Sequence, residues 1–302
     1  MLKMSITKVI CFGEFLWDLF PTGKIAGGAP MNVAYHLKNL GLESNMISQV
    51  GHDELGKELL KFVENCGMSN YLIDTIDTFP TGTVQVELKK GSPTYIINEG
   101  VAWDHIAVDA KKTDAVKEAD ALVYGSLICR EKTSRETLFH LAELAGFRVF
   151  DMNLRAPFHS KELILKLLYL SDILKLSEEE LDFIAPWLGK ATQEKDQLEL
   201  IAEEFNIDTI LLTKGAEGAI CYHQGKFHFQ ESFSIKVKDT VGSGDAFLAG
   251  FLKKMFEWTN IQTALKYAAA MGAIVASQAG GTPMILEEHV SNFINIQKQI
   301  IS

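Results

Sequence analysis

Short apolar runs alternate with amphipathic helical patterns along most of this 302-residue chain, and few architectures accept that rhythm. A compact apolar run with no polar face reads as a strand buried on both sides. An amphipathic helix between two such strands is the crossover that parallel pairing needs. The runs Lys8 to Phe12, Asn45 to Val50, Ala121 to Tyr124, Arg148 to Asp151, Ile173 to Leu176 and Thr209 to Leu212 are the expected strands. They predict an α/β fold with a mainly parallel sheet covered by helices on both faces.

Helix signals punctuate the same map. Met31 to Leu40 follows Pro30 and stops at Gly41, and Glu54 to Asn65 follows Asp53 and stops before Gly67. Ser177 is a good N-cap for Glu178 to Ala185, while the Ala-rich Ile261 to Ala279 ends before Gly280-Gly281. Thr81 to Ile97 breaks the rhythm: β-branched and polar residues alternate around Lys89-Lys90-Gly91-Ser92-Pro93, the pattern of a hairpin. With Phe15 to Lys24 it is expected to form a small antiparallel sheet standing off the main domain, suited to a lid or to a dimer surface. No repeat or Pro/Gly/Ser-rich linker divides the chain cleanly, and its length suits one large α/β domain or two ordinary ones.

The charge balance narrows the partners. With 29 Lys and Arg against 39 Asp and Glu, and no local basic run, the surface repels nucleic acid and anionic membranes. No apolar run reaches the roughly 18 residues of a membrane span. Val9 to Phe12 is followed at once by Glu14 and Asp18, which reads as a first strand instead of a secretory signal. The four cysteines are scattered without a C-x-x-C pair, the usage of buried reduced thiols in cytoplasm. A small-molecule partner fits best.

Asp239-Thr240-Val241-Gly242-Ser243-Gly244-Asp245 runs into an apolar helical pattern, Ala246 to Trp258. Glycines there let the amides of Gly242, Ser243 and Gly244 converge on an anion at a helix N-terminus. Asp245 then stands where a phosphate and an incoming hydroxyl meet, placed to accept a proton. An ordinary capped turn fits the same residues. Gly27-Gly28-Ala29-Pro30-Met31-Asn32 allows close approach of a ligand to backbone, with Asn32 offering donor and acceptor to a polyol; a tight strand-to-helix turn is the plain alternative. Glu14 and Asp18 lie after the first strand, where open α/β sheets place ligands, or else are exposed loop charges. Asp151, Asn153 and Arg155 share a side if the chain stays extended. Glu178, Glu179 and Glu180 sit at a helix start, where they hold water around magnesium or complement the dipole. Thr213-Lys214-Gly215-Ala216-Glu217-Gly218 is a turn between strands that either meets nucleotide phosphates and ribose or is only a turn. The sequence contains no G-x-x-x-x-G-K-[ST], H-E-x-x-H or G-x-S-x-G, and Phe247 occupies the place of a third dinucleotide-fingerprint glycine.

Together, Gly27 to Gly41 and Asp239 to Leu252 resemble the paired motifs of the ribokinase-like (pfkB) carbohydrate kinases, and the resemblance spans nearly the whole chain. Within that family Gly13 to Asp18, the Gly-Gly-Ala-Pro form of the first motif and Asp151-x-Asn153-x-Arg155 look most like fructokinases. The resemblance implies a single three-layer α/β/α domain over residues 1–302 with a β lid from roughly 15–27 and 79–103, and transfer of the ATP γ-phosphate to a primary sugar hydroxyl. Ribose, 2-keto-3-deoxygluconate and a nonenzymatic sugar or nucleotide sensor are the competing readings. It further implies Asp245 as base, the Gly242 to Gly244 amides as anion hole, and Asp18, Gly28 and Asn32 around the sugar, with Arg155 near sugar or phosphate. Thr213, Gly215 and Gly218 match the nucleotide turn, and Gly280-Gly281 should approach the adenine. Glu180 would act on Mg2+ through water, although Ser177 stands where the family has Asn, and Asp239 matches one position of a potassium (K+) site. A homodimer through the lid edge at Thr83 to Leu88 is a further expectation.

Overall fold

The computed structural model describes residues 7–89, 92–189, 191 and 193–301. Strands and helices are numbered in chain order. Nine strands form the main sheet in the order β13 (Lys226–Gln230), β12 (Ala219–His223), β11 (Thr209–Thr213), β10 (Ile173–Ser177), β9 (Arg148–Asp151), β8 (Ala121–Gly125), β1 (Lys8–Phe12), β4 (Glu43–Gly51) and β5 (Ile73–Ile76). Pairing is parallel from β5 to β11, and β12 and β13 add an antiparallel edge. Every expected strand is present: β1 and β9 keep the expected bounds, β8, β10 and β11 are one residue longer, and β4 is three residues longer.

Side-chain alternation along these strands divides the interior in two. Val9, Cys11, Met46, Val123, Val149 and Leu211 point into one cluster with residues of α1 (Ala29–Asn39), α2 (Glu54–Asn65), α8 (Ser243–Phe256), α9 (Ile261–Ala276) and α10 (Glu287–Ile301). Ile10, Phe12, Leu122, Phe150, Leu174 and Leu212 point the other way, into α3 (Ala110–Lys117), α4 (Lys132–Leu144), α5 (Lys161–Tyr169), α6 (Glu178–Ile184) and α7 (Glu194–Phe205). Neighbouring residues of one strand therefore belong to different cores, which is the physical content of a three-layer fold with both sheet faces covered.

Four further strands make the small sheet, in the order β3 (Gly23–Gly27), β2 (Leu16–Phe20), β6 (Gly82–Lys89) and β7 (Ser92–Ile97). The β2–β3 and β6–β7 pairs are antiparallel hairpins, and a parallel β2–β6 pairing joins them, so the sheet is mixed at its centre. The turn residues Lys90 and Gly91 lie outside the described residues. This order corrects the expected dimer edge: β6, which carries Thr83 to Leu88, is paired on both sides, and the free edges belong to β3 and β7. Among the described residues no helix is long and apolar enough to cross a membrane.

Candidate active site

The parallel strands β1, β9, β10 and β11 end on one rim of the sheet, and the candidate residues lie beyond those carboxyl ends, as open α/β sheets arrange them. The helix after the second glycine motif starts earlier than its apolar pattern suggests. α8 begins at Ser243, with Gly242 as N-cap at φ 73°, so Asp245 stands in the first helical turn. A Cβ on Gly242 would lie 2.4 Å from Gly281 Cα, so only glycine fits both that dihedral and that contact. The amides of Gly242, Gly244 and Asp245 have no acceptor among the described residues. Ser243 departs from expectation: its amide donates to Thr240 O at 3.2 Å and its hydroxyl to the same oxygen at 2.8 Å. The turn uses that amide to close itself.

Asp245 is only 9% exposed, and its Oδ2 accepts from Asn32 Nδ2 at 2.8 Å. Its second oxygen has no donor among the described residues. Burial pushes the carboxyl above its ordinary pKa, against the pull of Lys175, the Asn32 hydrogen bond and Arg155. Packing of α1 on α8 brings the two glycine motifs together across most of the sequence.

At the first glycine motif, Gly28 precedes α1 at φ 113°, and a Cβ there would lie 2.2 Å from Glu14 O. Asp18 projects from β2 so that a Cβ on Gly27 would meet its Oδ2 at 2.6 Å. Burial raises the Asp18 pKa to about 6, with Arg155 opposing and Asp239 assisting. Arg155 is exposed and donates to Leu154 O at 3.2 Å, and its charge acts on Glu14, Asp18, Asp151 and Asp245. The extended path expected from Asp151 to Arg155 does not hold. Asn153 takes φ 39°, a left-handed conformation that turns the chain, and Asp151 faces Lys175 in an ion pair of 2.9 Å.

A cavity of about 530 Å³ opens on the other side of the α8 N-terminus. Thr213, Gly215 and Gly218 line it together with Ser243 and Gly244, and residues Ala269, Gly272, Ala273 and Ala276 of α9 form the opposite wall. Gly218 is required where it stands, since at φ 109° a Cβ would lie 2.0 Å from Gln230 O. Gly280 and Gly281 are not among the residues that line this cavity. Gly281 packs on Gly242 and Asn32, with its carbonyl accepting from His36 Nε2 at 2.9 Å, and Gly280 faces Ile25 of β3. Burial lowers His36 to about 4, so the ring is neutral and its N–H is a donor.

Glu180 and Ser177 form a reciprocal capping box at the start of α6. Glu180 Oε2 accepts from Ser177 N at 2.8 Å and Oε1 from Leu154 N at 2.7 Å, so each oxygen already holds a main-chain amide. Asp239 is likewise a backbone clamp, accepting from Val241 N and Gly280 N at 3.0 Å each. No group of three or more His, Cys, Asp or Glu able to hold a metal occurs among the described residues.

Lys175, to which the sequence reading gave no role, and Glu14, for which it left a ligand site and an exposed charge open, lie beside these residues. Lys175 Nζ is buried beside the anion turn, 2.9 Å from where a Gly244 Cβ would be. Burial works against its charge, but Asp151, Glu180 and Asp245 more than offset this and hold its pKa above the ordinary value. A lysine inside the apolar run Ile-Leu-Lys-Leu was the visible signal. Glu14, expected in one reading to be an exposed charge, is 3% exposed.

Residues 10–288 match the description pfkB family carbohydrate kinase. The chain is 31% identical over 260 residues to a fructokinase of Escherichia coli, covering 81% of this chain and 83% of the relative. Among solved structures, fructokinase from Xylella fastidiosa with bound ATP superposes at a TM-score of 0.86 and 24% identity, over 96% of this chain and 99% of that one. A double mutant of Vibrio cholerae O395 fructokinase bound to fructose, ADP and potassium gives a TM-score of 0.83 at 24% identity, over 96% and 98%. These two likenesses establish the shared fold. With the glycine motifs joined at one rim of a three-layer sheet and the family match running over most of its length, the chain belongs to the pfkB family of carbohydrate kinases.

Proposed function

We propose that this carbohydrate kinase transfers the γ-phosphate of ATP to a primary hydroxyl of fructose, with Asp245 as the general base. The observation that carries the reading is the position of Asp245: a buried carboxylate held by Asn32, in the first turn of a helix at whose start the Gly242 and Gly244 amides have no acceptor among the described residues. Such a group accepts the hydroxyl proton as the oxygen attacks, while the Gly242 and Gly244 amides receive the charge developing on the transferred phosphoryl group. Asp18, Gly28 and Asn32 hold the sugar, and Arg155 approaches sugar or phosphate from the loop after β9. The cavity bounded by Thr213, Gly215 and Gly218 takes the nucleotide.

Magnesium would enter with ATP and neutralise phosphate charge. The donors present suit that arrangement: with no protein cage for the ion among the described residues, phosphate oxygens and water supply its shell, and Glu180 acts from behind through water. Asp239 ties the anion turn to Gly280, and main-chain carbonyls of these two loops are the groups that would take potassium. The small sheet closes over the sugar as a lid and excludes water from the phosphoryl group. The fructokinase relatives in sequence, and the fructose- and ATP-bound structures of the same fold, support fructose as the acceptor.

An ATP-consumption screen over ketoses, aldoses, sugar acids and nucleosides, with Mg2+ and with or without K+, tests this. Fructose is expected to give the highest kcat/KM. A sugar acid or nucleoside ahead of fructose overturns the substrate, and ATP consumption independent of any acceptor overturns the transfer reaction.

A further inference from the structure

We infer that Glu14 is a further sugar-binding residue, whose free carboxylate oxygen takes a hydroxyl donor of the bound sugar beside the Asn32 amide oxygen. The inference rests on the sugar-kinase reading above. Glu14 follows the end of β1 and is buried against the Gly27-Gly28 turn, with its Cγ 3.4 Å from the place of a Gly28 Cβ. Its Oε1 accepts from Ala29 N at 3.3 Å and so closes the start of α1, whose own N-cap, Gly28, has no side chain to do it. Its Oε2 is buried and has no donor among the described residues.

The same is true of Asn32 Oδ1, whose amide nitrogen is committed to Asp245. The two acceptors come from different loops and meet at the Gly28 turn: Gly28 packs against Glu14, and Asn32 N donates to Gly28 O at 2.9 Å. Buried acceptors without donors are rare in folded proteins, and two meeting at one turn beside Asp245 call for a ligand that brings donors. Sugar hydroxyls do so, because each O–H rotates to suit the acceptor it meets. A ligand offering only acceptors, such as a bare phosphate, is the wrong partner for this pair.

The charged and titratable groups facing Glu14 are Arg155 from the loop after β9, Asp245 from α8 and Cys129 from the turn after β8. Burial raises Glu14 to about 7. A hydroxyl donating to Oε2 favours the carboxylate, so sugar binding should release protons near neutral pH. Asp18 and Asp245 are also raised, so the difference between native protein and Glu14→Gln isolates the contribution of Glu14.

The test is calorimetric titration of D-fructose, and separately of ADP, into native protein and Glu14→Gln, in two buffers of different ionisation heat. Glutamine keeps a carbonyl oxygen for the Ala29 amide, so a purely structural Glu14 predicts unchanged sugar affinity. The expected result is a roughly tenfold loss of fructose affinity, with ADP affinity unchanged and less proton release at pH 7. Native fructose binding with affinity retained in the variant overturns this inference alone, and a native protein that binds no sugar overturns the kinase reading with it. A crystal structure of the native protein with fructose decides the point without the variant. A sugar hydroxyl within about 3.2 Å of Glu14 Oε2 is expected, and none within about 4 Å overturns the assignment.

Discussion

The two glycine turns of this protein enter helices that pack on each other, yet they present opposite chemistry. At the start of α1, Gly28 brings side chains forward: Asn32, and the Glu14 carboxyl that caps Ala29. At the start of α8, Gly242 and Gly244 bring backbone forward, leaving amides without acceptors next to a buried lysine. One turn is rich in acceptors and suits hydroxyl donors, whereas the other is rich in donors and suits a phosphoryl group. Asp245 stands where they meet, on the helix of the second and hydrogen-bonded to the first. Glycine in a strand-to-helix turn therefore carries no fixed ligand preference; the atoms that its missing Cβ lets through decide it.

The comparison can be broken most directly at the shared residue. Asp245→Asn should lower kcat by roughly 10²–10⁴-fold while leaving the fructose KM within about twofold, measured by steady-state ADP release. An equal fall in affinity for fructose would instead make Asp245 a binding residue. Lys175→Met should act on the donor-rich side alone. It leaves Asp151 buried without its cation, which is expected to lower stability by roughly 3–5 kcal/mol in denaturant titration. It should also move the acidic limb of the pH–rate profile upward as Asp245 loses a stabilising charge.

The paired glycine substitutions sharpen the contrast. Gly28→Ala and Gly242→Ala each force a side chain into a left-handed backbone and into a contact of 2.2 and 2.4 Å respectively, and each is expected to lose about 1–3 kcal/mol. Their kinetic signatures should differ, the first raising the KM for fructose and the second the KM for ATP. The smallest effect is in stability against pH. Glu14 has a folded pKa of about 7 against an ordinary 4.5, so folding takes up a proton. The contribution is fully present below the unfolded value and is lost as pH rises through 7. Thermal unfolding from pH 5 to 8 should show Tm falling over that window, with a shallower fall in Glu14→Gln.

Much of this was legible before any coordinates. The strands of the main sheet follow from apolar runs bounded by turn signals, because burial on both faces leaves no polar position in them. Asp245 and Asn32 stand out through glycines next to helix starts, and Thr213 to Gly218 through a glycine turn between two strands, each with an ordinary turn as the alternative. What sequence did not show depends on partners distant in the chain. The parallel β2–β6 pairing joins two hairpins that each look antiparallel. Gly281 is directed to Gly242 by His36, which lies far from both in sequence. The Ser243 amide is taken by a carbonyl three residues back, a detail of turn geometry that composition cannot encode. Glu14 could be read as a ligand-site residue or as loop charge, because nothing local announces that Gly28 will pack over it.

The small sheet holds one more implication. Asp18 lies on β2, and β2 is the strand that pairs both with β3, leading into Gly27-Gly28, and with β6 of the second hairpin. On the proposed reading, the carboxylate that would grip the acceptor and the roof above it are thus the same length of polypeptide. If the small sheet closes over the sugar as proposed, lifting it would also loosen the hold on the carbohydrate, so water entering from outside would meet a disassembled pocket and idle ATP cleavage would be held down.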